Sequence, residues 1–208
     1  MEGSAGQGYT DVKAKRREIT SVFIAFLTAV AYQEMVIPIR EAVQSRGVDW
    51  PLVALFIVFF VTTIRFLIGC HLHLTSEQLT RGSGNVWFFD LVFITLEMTL
   101  IIFMGGLTSV EESQESPFGF FGLLNALYVL DVLWVTLQWL MHKALKPWRR
   151  EAIPWQWALL NSCLLVAMLI VTRCYGDALQ SGALIWLVGL NVVGFFIDMF
   201  LIDRYDLL

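Results

Sequence analysis

Six times along this chain a stretch of about twenty mostly apolar residues recurs, and the short segments between hold most of the charge. A helix of about 20 residues crosses the hydrocarbon core of a bilayer. The stretches fall at about 20–42, 51–72, 86–108, 118–141, 156–174 and 180–201. They predict an all-α, polytopic transmembrane helix bundle of six spans. Only 15% of the residues are charged, against roughly 25% in a soluble domain. With 208 residues there is room for one domain, a transmembrane unit over 20–208 preceded by a polar and basic segment, 1–19.

The first span carries the weakest pattern. "SVFIAFLTAVAY" is apolar throughout, but "QEMVIPIREAV" then brings in Gln33, Glu34, Pro38, Arg40 and Glu41. A full crossing and an interfacial or re-entrant piece both fit. Loop charges provide a separate test. With six crossings and an internal N-terminus, ten basic residues face inward: Lys13, Lys15, Arg16, Arg17, Arg81, Lys143, Lys146, Arg149, Arg150 and Arg204. Three, Arg40, Arg46 and Arg173, face outward. That asymmetry is the one the positive-inside rule describes, and it places both termini in the cytoplasm. The expected setting is a bacterial cytoplasmic (inner) membrane. The eighteen polar residues at the start leave no early apolar region for a cleavable signal peptide.

Proline and tryptophan placement agrees with this division. Pro51 and Pro117 open helices, where the missing N–H costs nothing. Pro147 and Pro154 lie in a basic loop, and Pro38 lies toward the outer end of the first span. Trp87, Trp139, Trp148, Trp155 and Trp157 gather near the inner boundary, as interfacial aromatic belts do. Cys70, Cys163 and Cys174 are odd in number and form no CxxC pair, so they read as small packing residues. No basic face suited to nucleic acid is present.

Function has to be sought among the polar residues inside the spans. Asp90 and Glu97 lie seven positions apart on one helix, so they share a stripe about 10 Å long. Glu97, Asp131 and Asn191 fall near mid-span, Asp90 and Asp198 nearer the inner end, and Glu34 in the first span. Arg65, in the inner half of the second span, is the one cation among them. Each charge at the centre of a bilayer costs roughly 2.5–3.5 kcal/mol even on lenient scales. Five acids and an arginine facing lipid would oppose insertion by something on the order of 15 kcal/mol. They must therefore turn inward, pair, take up protons or meet water. Arg65 can serve Asp90 or Asp198, the acids closest to its depth, which leaves Glu97 and Asp131 to be held as acids or used.

Buried acids of this kind build proton relays and cation pathways. They can also act as hydrogen-bonded glue between helices, worth roughly 0.6–2 kcal/mol each. The leading expectation is a small proton or cation channel or transporter, homo-oligomeric and without a cofactor. Its pathway would be Glu97, Asp131, Asp90, Asp198, Arg65, Glu34 and Asn191. A second is a non-catalytic sensor, anchor or effector subunit. Its basic 143–150 loop and "KAKRR" would dock a cytoplasmic protein or anionic lipid. A third is an intramembrane enzyme using Asp90, Asp131 and Asp198, although none of these has the neighbouring glycine of membrane aspartyl proteases.

"GCHLHL" and His142 raise the question of a metal, but His71 and His73 are two apart and diverge on a helix. Interfacial side chains are the expectation there. "RGSGN" lacks the lysine ending of a phosphate loop. "FFDLVF", Phe88 to Phe93, resembles a short motif of the bacterial low-temperature-requirement proteins, over those six residues of the chain.

Overall fold

In the computed structural model, residues 3–75, 84–108, 119–144, 155–175 and 181–205 are described, and within them every regular element is an α-helix. In chain order these are α1 (Gly3–Arg46), α2 (Trp50–Thr75), α3 (Gly84–Gly106), α4 (Phe120–Ala144), α5 (Trp155–Tyr175) and α6 (Ser181–Tyr205). Each contains a segment long and apolar enough to cross a membrane. The chain is therefore described as an integral, multi-pass membrane protein. Helix ends fall within a few residues of the expected spans, except at the N-terminus.

There α1 runs unbroken for 44 residues, through both the polar segment and Pro38. A re-entrant or interfacial first segment is thus replaced by one long helix, whose membrane-length part is Glu18–Ser45. Residues 11–18 favour the extension: "DVKAKRRE" lacks glycine and proline and spaces Asp11 four before Lys15. Pro38 removes a single backbone donor, and the apolar turns on either side keep the helix going.

The turn from α1 to α2 takes three residues. Gly47 adopts a positive φ of 80° and its N–H donates to the carbonyl of Val43, the left-handed stop favoured by glycine. Asp49 then caps α2, its Oδ1 accepting the Leu52 N–H at 2.9 Å. Pro51 occupies the first turn, where it forfeits no helical bond. Asp49→Ala should lower thermal stability by about 1 kcal/mol, as read by melting in detergent. A shift beyond 3 kcal/mol would mean that Asp49 holds more than the cap.

Helix neighbours reveal a plan that linear order hides. α2, α3, α4, α5 and α6 form a closed ring, each packed on the next and α6 back on α2. α1 lies outside it, against the seam of α2 and α3. Accordingly α1 buries the smallest share of its span. The packing contact of α1 with α3 is close: a Cβ on Gly105 would stand 2.7 Å from the Ala31 carbonyl oxygen. Phe59, Phe66, Met98, Leu124, Tyr128 and Met168 fill the interior. Phe26, Phe88, Phe103, Leu159, Phe196 and Phe200 point out, toward what would be lipid.

Candidate buried polar core

Four of the five ring helices bring an ionisable residue into the enclosed space, and α5 brings Asn161. Arg65, Asp90, Glu97, Asp131, Asn161, Asn191 and Asp198 are all no more than 2% exposed. On α4 the inward stripe reads Tyr128, Asp131, Trp134, Gln138, which is helical spacing with a polar atom at every step. Antiparallel neighbours then match depths: the C-terminal end of α2, with His73, meets the N-terminal end of α3, with Asp90.

At the level of Arg65 the guanidinium is fully engaged. Nε donates to Asp198 Oδ2, one terminal nitrogen to Asn161 Oδ1, and the other to Tyr128 Oη at 3.4 Å. The Tyr128 hydroxyl donates in turn to Asn191 Oδ1 at 2.6 Å, and Asn191 Nδ2 donates to the Leu187 carbonyl at 2.8 Å. The rings of Trp157, Tyr128 and Phe66 surround the cation, with centroids 5.2–5.8 Å from Cζ. Trp157 reaches that position because α2 has glycine beneath it. A Cβ on Gly69 would sit 2.5 Å from the indole ring.

Asn161 joins this group to the next. Its amide oxygen accepts from Arg65 while its Nδ2 donates to Asp131 Oδ2. Beside Asp131 stands Glu97, within range for the two carboxyls to interact. Glu97 Oε2 accepts from the Cys70 thiol at 3.7 Å. Glu97 Oε1 and Asp131 Oδ1 are buried with no hydrogen-bond partner among the described residues. Two carboxylates so close repel each other when both are charged.

Around Asp90 the bonding is dense, although Gln138 Oε1 is buried without a hydrogen-bond partner among the described residues. Asp90 Oδ1 accepts from Gln138 Nε2 at 2.6 Å and Trp134 Nε1 at 2.8 Å, and Oδ2 lies 3.4 Å from His73 Nε2. The His73 ring stands edge-on to Trp134, centroids 4.9 Å apart. Two donors on one carboxylate oxygen and an imidazole beside the other tie α2, α3 and α4 together at this level.

Most of the residues expected from the sequence thus converge: Glu97, Asp131, Asp90, Asp198, Arg65 and Asn191. Of the two acids open to Arg65 on depth alone, Asp198 takes it, and Asp90 is met by indole, amide and imidazole. Glu34 is the exception. It is half-buried on α1, outside the ring. His71 is exposed and His73 turns inward, so they diverge as the spacing requires, while His142 is half-buried near the C-terminal end of α4. Among the described residues no three of His, Cys, Asp and Glu gather as metal ligands. Of the basic 143–150 loop, Lys143 is described, with Nζ 3.6 Å from the Trp139 ring centroid, and 145–150 lie outside the described residues.

Sequence reasoning missed Asn161, Tyr128, Trp134 and Cys70. Tyr128 and Trp134 flank Asp131 at three positions on either side, a signal available in the text of α4. Asn161 is an amide in the fifth span, and only the fold shows it bridging Arg65 and Asp131. Cys70 is more than a filler, since its thiol contacts Glu97, while Cys163 and Cys174 face outward. No family model, curated protein or solved structure matches this chain.

Proposed function

We propose that this protein is a membrane carrier or channel for protons or cations, in which Glu97 and Asp131 form the protonation or binding pair. The observation that supports the reading is that pair: neighbouring carboxyls at mid-span, each with an oxygen left without a partner inside a ring of five helices. A group meant only to hold helices together gains by satisfying its oxygens, as Asp90 Oδ1 does with Gln138 and Trp134. Leaving them unmet costs stability, roughly 1–3 kcal/mol per buried polar group. Such a cost is usual where groups exchange a ligand or a proton.

Protons suit this core better than hydrated ions. The acids are sealed from solvent in this conformation, and a proton passes along hydrogen-bonded side chains where an ion needs a shell of oxygens. In this reading Arg65 and Asn161 set the field beside Asp131, and Asp198 balances Arg65. The Asp90 and His73 level faces the inner side, with both termini cytoplasmic, in a bacterial inner membrane and in a homo-oligomer. Glu34 and Asn191 have no direct part in the transfer.

Flux in liposomes tests the reading. With a proton gradient imposed, wild-type protein should acidify or alkalinise the lumen. Glu97→Gln and Asp131→Asn should fall to the level of protein-free vesicles while melting near the wild-type temperature. Wild-type protein without flux of protons, sodium or potassium refutes transport and leaves the partner-subunit reading. Variants that keep full flux refute the pair.

A further inference from the structure

On the outer face of the bundle, between α1 and the inner half of α2, runs an apolar furrow with a cavity of about 560 Å³. Its floor on α1 is made by Ser21, Ala25 and Ala29, small residues at every fourth position, so they line up on one stripe. Leu67 forms part of the α2 wall, His71 stands at one end and Tyr32 closes the other. Tyr32 is anchored there by edge contacts with Phe59 and Phe60, centroids 5.9 and 6.2 Å away.

Two dimensions of this furrow match one ligand. From Ser21 to Tyr32 is eleven residues, about 16 Å of helix, and one leaflet of a hydrocarbon core is about 15 Å deep. The mouth lies at the membrane boundary, because Ser21 falls near the start of the first span and His71 ends the second. Immediately beyond it, α1 continues as a helix carrying Lys13, Lys15, Arg16 and Arg17, all within about two turns of Ser21. Lys15 is exposed. An acyl-length apolar slot thus opens beneath a stretch of α1 whose sequence, Lys13 to Glu18, carries four basic residues and one acid.

We infer that the α1–α2 furrow is a binding site for an anionic glycerophospholipid of the leaflet on the N-terminal side. One acyl chain would lie along Ser21, Ala25 and Ala29, and the phosphate headgroup would meet Lys13–Arg17. An empty furrow in hydrocarbon forfeits dispersion contacts on one side, so a lipid chain fills it without a competing hydrophobic cost. A second copy of α1 is the other obvious occupant. Copies inserted in the same orientation, however, would bring two Lys13–Arg17 segments to one level, and like charges oppose that contact. Basic residues near a membrane surface each favour an anionic headgroup by about fivefold in affinity. The site is separate from the buried acids and holds whether or not these conduct.

Native mass spectrometry of the detergent-purified chain, titrated with phosphatidylglycerol or phosphatidylcholine of equal chain length, tests this. Wild-type protein should retain phosphatidylglycerol about fivefold or more over phosphatidylcholine, and 0.5 M salt should reduce that preference. Lys13→Gln with Lys15→Gln, Arg16→Gln and Arg17→Gln should abolish the preference. Ala25→Leu with Ala29→Leu should lose the high-affinity lipid of either kind. Val166→Phe, on the outward face of α5, should change nothing. Equal retention of both lipids by wild-type protein overturns the headgroup assignment without needing any variant. Lipid retention unchanged in Ala25→Leu/Ala29→Leu overturns the furrow. A wild-type dimer that this double variant dissolves, with lipid unaffected, assigns the furrow to a second copy.

Discussion

Arg65→Met is expected to lower the stability of the bundle by about 3–5 kcal/mol, the usual penalty for removing one partner of a buried ion pair. The guanidinium is 1% exposed and serves three acceptors on three helices, Asp198 on α6, Asn161 on α5 and Tyr128 on α4. Its loss takes the buried cation away from the Asp198 carboxylate and frees the Asn161 oxygen at the same time. Arg65→Lys keeps the charge but has one nitrogen where the fork has three, so it should recover only part of the loss. Arg65→Met combined with Asp198→Met should be less damaging than the sum of the single changes, because no unpaired charge remains. Thermal unfolding in one detergent, with all four proteins, measures this. A double variant as unstable as the sum would mean that the two side chains act independently, and the ion-pair account would fail.

A second large effect is expected where α1 meets the ring. Gly105→Leu should detach α1 from α3 or prevent the chain from folding, and Gly105→Ala should cost about 1–3 kcal/mol, in the range of an overpacked core. The reason is local: the added Cβ would lie 2.7 Å from the Ala31 carbonyl oxygen and 3.2 Å from the Met35 nitrogen. Both atoms belong to a helix backbone that cannot step aside by itself. Gly106, the next residue, has nothing within 4 Å of the same position. Gly106→Ala should therefore stay within about 0.5 kcal/mol of wild type, since the added methyl meets nothing. Melting temperatures, together with protease cleavage of the α1–α2 turn, separate loosening of α1 from loss of the ring. Equal effects at the two glycines would refute close backbone contact as the cause.

The two experiments probe different parts of one arrangement. α1 can be weakened without touching a residue of the polar core, since that core is built wholly from α2 to α6. Arg65, by contrast, ties α2 to α4, α5 and α6 at once. Selective loosening of α1 should leave the Glu97 and Asp131 pair intact. A flux defect in Gly105→Ala without a change in the ring would then point to α1 as a moving part.

Much of the fold is legible in the sequence, for a physical reason. Backbone groups in hydrocarbon must be satisfied within their own segment, so length and apolarity alone mark each helix. The same cost argument places Asp90, Glu97, Asp131 and Asp198 indoors, because charge facing lipid is penalised at every depth near the centre. Glu34 obeys a weaker form of that rule, half-buried on α1, and so was grouped with acids it does not join. Local chemistry such as the Gly47 stop and the Asp49 cap is also written in "RGVDWP".

Which helices stand side by side, and how each is rotated, the tertiary structure alone decides. In water the polar face of a helix announces its orientation. Here both the outward and the inward faces are apolar, so periodicity leaves rotation nearly undetermined. Hence the choice of Asp198 over Asp90 by Arg65, the Asn161 bridge and the meeting of Glu97 with Asp131 cannot be read from spacing along one strand of text. The chain's composition dictates that polar groups must hide from lipid, and only the packing of five helices assigns each its partner.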